Sequence, residues 1–171
     1  MRQAITGFHL DAEGDWVAEL SCGHRQHVRH DPPFQQRPWV LTPASRAGRL
    51  GTLLTCPPCD RAVLPEAIRR VRSSPEWDQA TLPPGLRRAH QLAAGTWGQI
   101  VVLQGTLRFS MESEPPLTVD LTPGSAAQAI PPQVVHAVQP LGPVRFRIDF
   151  FAVHSDRPGE AGAPQQKPPP G

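Results

Sequence analysis

The three cysteines of this chain all stand in one metal-ligand arrangement: Cys22-Gly-His24 and, well downstream, Cys56-Pro-Pro-Cys59. Thiolates and an imidazole in closely spaced pairs, brought together from two short turns, are what a tetrahedral Zn²⁺ site requires. Two thiolates at Cys-x-x-Cys spacing reach one ion from a single turn, and backbone amides at a helix start favour the thiolate form. The other half of the site is open. Cys22 is a firm ligand candidate, while His24, His27 and His30 each offer the fourth ligand. A site with four protein ligands has no position left for substrate, so zinc bound this way is structural. The competing readings are a Cys56/Cys59 redox pair or plain buried thiols. A thioredoxin-type pair follows a strand in a βαβ unit, and the sequence displays no such unit.

The elements that must hold these residues are short. Proline (22) and glycine (14) exceed a fifth of the 171 residues, which argues for many turns. Three pieces follow from composition: a small zinc-binding domain over 1–71, a strand-rich domain over 73–154, and a tail over 155–171. The tail lacks large apolar side chains and is expected to be disordered. In the first piece, Asp15 to Ser21 alternates as a strand, and Gln26 to His30 is its hairpin partner, with Cys-Gly-His at the turn. Asp60 to Arg72 has near-helical apolar spacing, with Asp60 as N-cap. A hairpin turn and a helix start giving two ligands each make a treble-clef-like unit, and Trp39 is expected to pack across the hairpin. In the second piece, strands are expected over 99–103, 106–110, 117–121, 127–130, 136–138 and 144–151. They suggest a sandwich or barrel, so the fold class is mainly β with a short helix.

The formal net charge of +2 gives no strong case for nucleic acid. The N-terminal stretch has no signal-peptide core, and no run approaches the roughly 18 apolar residues of a membrane span. A cytoplasmic protein with no membrane partner is expected. A reducing compartment and an odd cysteine count both favour metal over disulfides.

Both pieces resemble known families. Cys-x-His paired with Cys-Pro-x-Cys is similar to one of the two metal sites of RING-type domains, which favours His24. Gly7-Phe-His9, Cys22-Gly-His24, Arg29-His-x-Pro-Pro33, Arg37-Pro-Trp-Val40 and Cys56-Pro-x-Cys59 resemble a small bacterial family of unknown function. The second piece resembles the small cupin domain (a double-stranded β-helix barrel) associated with tellurite-resistance proteins of the TehB and YeaR type. The matching elements are Trp77, Leu82-Pro83, His90, Gly95-Thr-Trp97, Val102 to Gly105, Pro131-Pro132, His136 and Arg145-Phe146. General cupins carry metal on a His-x-His pair, a Glu and a later His. Aligned on Gly105, the first three positions become Leu92, Ala94 and Gly98, none of which binds metal, and only His136 remains. His90 shares the strand parity of the lost histidines, so His90 and His136 are expected to meet at the barrel mouth.

The resemblance implies a barrel that binds a small molecule or oxyanion in a tellurite-resistance or stress-response role. Its pocket candidates are His90, Trp97, His136 and Arg145. One alternative is a metal-dependent cupin enzyme, of oxygenase or isomerase type, using His90 and His136 with a second divalent metal. Another is a non-catalytic zinc-containing adaptor. A homodimer through the cupin is also expected.

Overall fold

The computed structural model describes residues 1–66 and 68–153; the expected tail lies outside the described residues. The first sheet is built from β1 (Arg2–Leu10), β2 (Trp16–Leu20), β3 (Arg25–His27) and β4 (Leu53–Thr55), in the order β3-β2-β1-β4. Between β3 and β4 lie a 3₁₀ turn over Pro38–Val40 and the short helix α1 (Pro43–Ala47), whose N-cap Thr42 accepts from the Ser45 amide. A second short helix, α2 (Pro57–Asp60), follows β4.

The remaining strands are β5 (Ile68–Ser73), β6 (Trp77–Asp78), β7 (Thr96–Gln104), β8 (Leu107–Met111), β9 (Leu117–Leu121), β10 (Gln128–Ile130), β11 (His136–Pro140) and β12 (Arg145–Val153). They form a larger sheet, β10-β7-β12-β5 with β6 also on β12, and a three-stranded sheet, β11-β8-β9. Every strand pair is antiparallel. The chain is mainly β, as its turn-rich composition led us to expect.

Alternation explains how these sheets pack. In β8, Leu107, Phe109 and Met111 are buried and Arg108 is exposed, which is the pattern of a strand with one wet face. These residues share one core with Val138 of β11, Ile100 of β7, and Phe146, Ile148 and Phe150 of β12. The two sheets therefore sandwich a single apolar layer. The sharp passage from β7 to β8 requires glycine at 105. Its φ is +75°, and a Cβ there would stand 1.9 Å from the Pro143 carbonyl oxygen.

Strands β7 and β12 bury their other faces too. Trp97 and Ala129 belong to a second core with Ile5, Ala18, Leu20, Val28 and the three cysteines, and Phe151 and Val153 pack against it. The first sheet thus lies on the back of the larger one. Two sequence expectations need correction here. The helix expected over 60–72 is absent among the described residues beyond Asp60. After the four residues of α2 the chain turns, with Ala62 at φ +50°, and enters β5. Pro65 supplies the reason, since it removes a helical hydrogen bond and disfavours helix at the residue before it. The treble-clef arrangement consequently has its hairpin but not its full helix. The boundary expected between 71 and 73 falls inside β5, a strand of the larger sheet.

Candidate functional site

Two turns converge at the second core. The β2–β3 hairpin closes through Leu20 N–H to the His24 carbonyl and Gly23 N–H to the Leu20 carbonyl. Gly23 has φ +90°, and Val153 and Pro65 press to within 3.3 Å of where its Cβ would be. The hairpin thereby aims Cys22 and His24 inward. From the other side, Cys56 caps α2 and Cys59 donates its amide to the Cys56 carbonyl. The prolines at 57 and 58 suit the first helical turn, where no amide donor is needed.

The four side chains form a compact cluster, and the cysteines are 0–1% exposed. His24 Nδ1 lies 3.5 Å from each of the three sulfurs, and Cys22 Sγ lies 3.8 Å from Cys56 Sγ. Zn–S bonds of about 2.3 Å and a Zn–N bond of about 2.0–2.1 Å at tetrahedral angles give edges of about 3.8 Å (S···S) and about 3.5–3.6 Å (S···N). The four separations given above match those edges. Cys22, His24, Cys56 and Cys59 therefore form a Cys₃His cluster that could hold a metal such as zinc.

Electrostatics point the same way. The Cys56 thiol is held far down by the hydrogen bonds it accepts from Cys22 and Cys59, while the Cys22 thiol is pushed up to about 11, first by its bond to Cys56. Cys59 is pushed up as well, first by its bond to Cys22. Three buried sulfurs cannot all be anionic unaided, and a central dication removes that penalty. Trp97 completes the wall. Its ring meets the His24 ring edge-on, with centroids 5.5 Å apart, and its Nε1–H donates to the Cys22 carbonyl at 2.7 Å. His24 Nε2 is buried with no hydrogen-bond partner among the described residues.

The other histidines lie elsewhere. His27 Nε2 pairs with Asp11 at 2.7 Å, and His30 Nδ1 accepts from the Arg37 amide at 3.1 Å. Neither joins the cluster. His90 and His136 do meet: their amides and carbonyls bond reciprocally at 2.9 and 3.0 Å, and their rings lie 4.1 Å apart. Each ring is oriented by a backbone carbonyl, Nδ1 of His90 by Arg88 and Nδ1 of His136 by Val134. A carbonyl only accepts, so both Nδ1 atoms carry the proton. Burial lowers the His136 pKa to about 4, and its Nε2 has no partner. His136 is thus a neutral imidazole with a bare Nε2 lone pair. His136 lines a cleft of about 220 Å³ together with Ala89, Ser110, Glu112, Leu117 and Thr118.

Trp97 and Arg145 are not part of that cleft. Trp97 faces the cysteines because it stands on the opposite strand parity from Ile100. Arg145 is exposed and pairs with Glu76 at 3.5 Å, again opposite in parity to buried Phe146. Sequence reasoning missed Trp97 as a wall of the cluster, although the parity of β7 carries that information. It also missed Glu112 in the cleft, for which no sequence signal existed.

Comparison with known proteins places both halves. Residues 6–63 match a family described as a protein of unknown function, DUF3565. Residues 72–148 match the TehB-like domain. Each match leaves more than half of the chain outside it. Among solved structures, TehB from Haemophilus influenzae is similar at 26% identity over 52% of this chain, with a TM-score of 0.47. The chain spans 32% of that protein's length. A structural-genomics protein from E. coli K12 is similar at 22% identity, covering 53% of this chain and 96% of its own, also with a TM-score of 0.47. No curated protein matches the chain. No described helix is long and apolar enough to cross a membrane.

Proposed function

We propose that this chain is a small binding protein in a tellurite-resistance-related role, stapled by a structural zinc and carrying its ligand site at His90 and His136. Cys22, His24, Cys56 and Cys59 would hold the zinc, which supplies cohesion rather than reaction chemistry because no coordination position remains. The two sheets of the second half would close as a cupin-type barrel with the histidine pair at its mouth.

The observation that carries the reading is the bare, buried Nε2 of His136, a residue in ring contact with His90 and in the lining of the cleft. A buried polar atom without a partner is costly, and such atoms mark places where a ligand completes the hydrogen bonding. A lone pair needs a donor or an electron-pair acceptor. The fitting ligand is therefore a small molecule bearing an acidic hydrogen, such as an oxyanion that retains one proton. The metalloenzyme alternative uses the same nitrogens but lacks a third protein ligand: the one His/Cys/Asp/Glu group of ligating geometry among the described residues is the cysteine cluster.

Imidazole nitrogen NMR of the zinc-loaded chain, titrated with tellurite near pH 7, tests the proposal. Saturable movement of the His136 Nε2 resonance, abolished in His90→Ala, is expected. An Nε2 resonance that stays still throughout the titration overturns it.

A further inference from the structure

The solvent face of the three-stranded sheet carries another cleft, of about 420 Å³, lined by Arg87, Arg108, Ser110, Ala137, Gln139 and Pro140. Ser110 and Ala137 also border the His136 cleft, so the two are neighbours. Their electrostatics differ. The His136 cleft and the one beside Met1 both include Glu112, and the cleft beside His24 includes Glu66. The cleft with Arg87 and Arg108 has two guanidiniums and no carboxylate in its lining.

Both guanidiniums keep donors to spare. Arg87 donates through one Nη to the Gln79 carbonyl, which orients it. Arg108 spends Nε and Nη2 on Asp120, at 2.7 and 2.9 Å, so its Nη1 remains. A guanidinium has five N–H donors in a planar fork, the geometry that binds oxyanions. Ser110 and Gln139 add a hydroxyl and an amide. Alternation explains why these residues gather. Arg108 and Ser110 are the outward residues of β8, and Gln139 stands opposite Arg108 on β11.

We propose that this cleft binds a small oxyanion of phosphate or sulfate type, held chiefly by Arg87 and Arg108. It is an independent site and does not rest on the histidine-pair reading. Asp120 limits it by neutralising part of Arg108. The Arg108–Asp120 pair is exposed at 44% and 42%, so solvent screens it and its own contribution is small.

The test is an amide NMR titration of the full zinc-loaded chain with inorganic phosphate at low, constant ionic strength. Saturable shifts confined to residues 87–88, 108–110 and 137–140 are expected. Arg87→Gln with Arg108→Gln should weaken binding about tenfold or more, since each charge-assisted bond lost is worth on the order of one decade. Asp120→Asn should tighten it about threefold, a gain that loss of folding cannot mimic. Arg69→Gln with Arg72→Gln, on the edge of the other sheet, should change nothing. Non-saturating shifts spread over the surface, equal weakening in the Arg69/Arg72 variant, or no response to Asp120→Asn overturns the proposal. The His136 imidazole, read in the same titration, separates this site from its neighbour.

Discussion

With zinc in the Cys₃His cluster as proposed, removing it should loosen the strand-rich second half as well as the cysteine-bearing half. Structural zinc contributes about 10–16 kcal/mol of apparent folding free energy at pH 7 in small domains. The whole net stability of a domain is about 5–15 kcal/mol. The first sheet should therefore not persist without metal. Its loss uncovers Trp97, which is 0% exposed, together with Ala129 and the faces of Phe151 and Val153 packed on the second core. Emptying the surroundings of a buried tryptophan costs about 3–5 kcal/mol on the scale of truncation mutants. At 1.4 kcal/mol per decade, that is about two to four orders of magnitude in amide protection. Hydrogen exchange of segments 96–104 and 145–153, with and without a chelator, reads this directly, with elemental analysis in parallel. One zinc per chain is expected, lost on chelation and absent in Cys59→Ala. Zinc leaving while segment 96–104 keeps its full protection would refute the shared-core reasoning.

Three further outcomes follow from individual residues. Trp97→Phe keeps most of the ring but deletes the donor to the Cys22 carbonyl, so the urea midpoint of the zinc-loaded protein should fall by the equivalent of about 1–3 kcal/mol; an unchanged midpoint contradicts the bond's role. Gly105→Ala combines positive φ with a carbonyl oxygen 1.9 Å from the new Cβ, and should cost about 3 kcal/mol or more, read as a collapse of soluble yield or melting temperature. His136 has its pKa lowered from 6.5 to about 4, so between those values the unfolded chain binds more protons and stability rises with pH. Its contribution is complete above about pH 6.5 and is lost as pH falls towards 4, amounting at most to about 3 kcal/mol. Urea unfolding at pH 7 and pH 5, compared between wild type and His136→Gln, separates this term from metal loss, and identical pH differences in the two proteins would rule it out.

What the sequence made legible follows the range of the physics involved. The members of the Cys₃His cluster could be read because chelation imposes local spacing, and half-RING similarity singled out His24 from three candidates. The long strands of the second half could be read because alternation and Gly/Pro turns are also local. Residues 60–72 were misread because apolar spacing resembled a helix while Pro65 forbade one. The strands β1 and β4 went unseen. β4 is only three residues long, and both are ordered by pairing with distant partners. Trp97 and Arg145 were assigned to the pocket by motif membership, yet the face each side chain takes depends on strand register, which tertiary pairing sets. His90 and His136 come together by a reciprocal backbone bridge, but His90 lies outside the named strands, so the unbroken strand on which the parity argument rested is absent there.

The halves depend on each other for a reason of size. A unit of about 60 residues has only a marginal core, and a staple adds what that core lacks. Here the first sheet takes two: the cysteine cluster, and a tryptophan and an alanine lent by the larger sheet. The loan places Trp97 on one face of β7 while Gly98, the next residue, turns its bare face to Leu92 and Ile130, whose side chains would stand 3.1 Å from a Cβ added there. Leu92 lies two residues beyond His90, and its carbonyl accepts from the Gln133 amide, three residues before His136. Leu92 and Gln133 thus join the packing on Gly98 to the segments that carry both histidines. Close packing on the two faces of a single strand thus sets the cysteine cluster and the histidine pair on neighbours of β7, without any side chain reaching from one to the other.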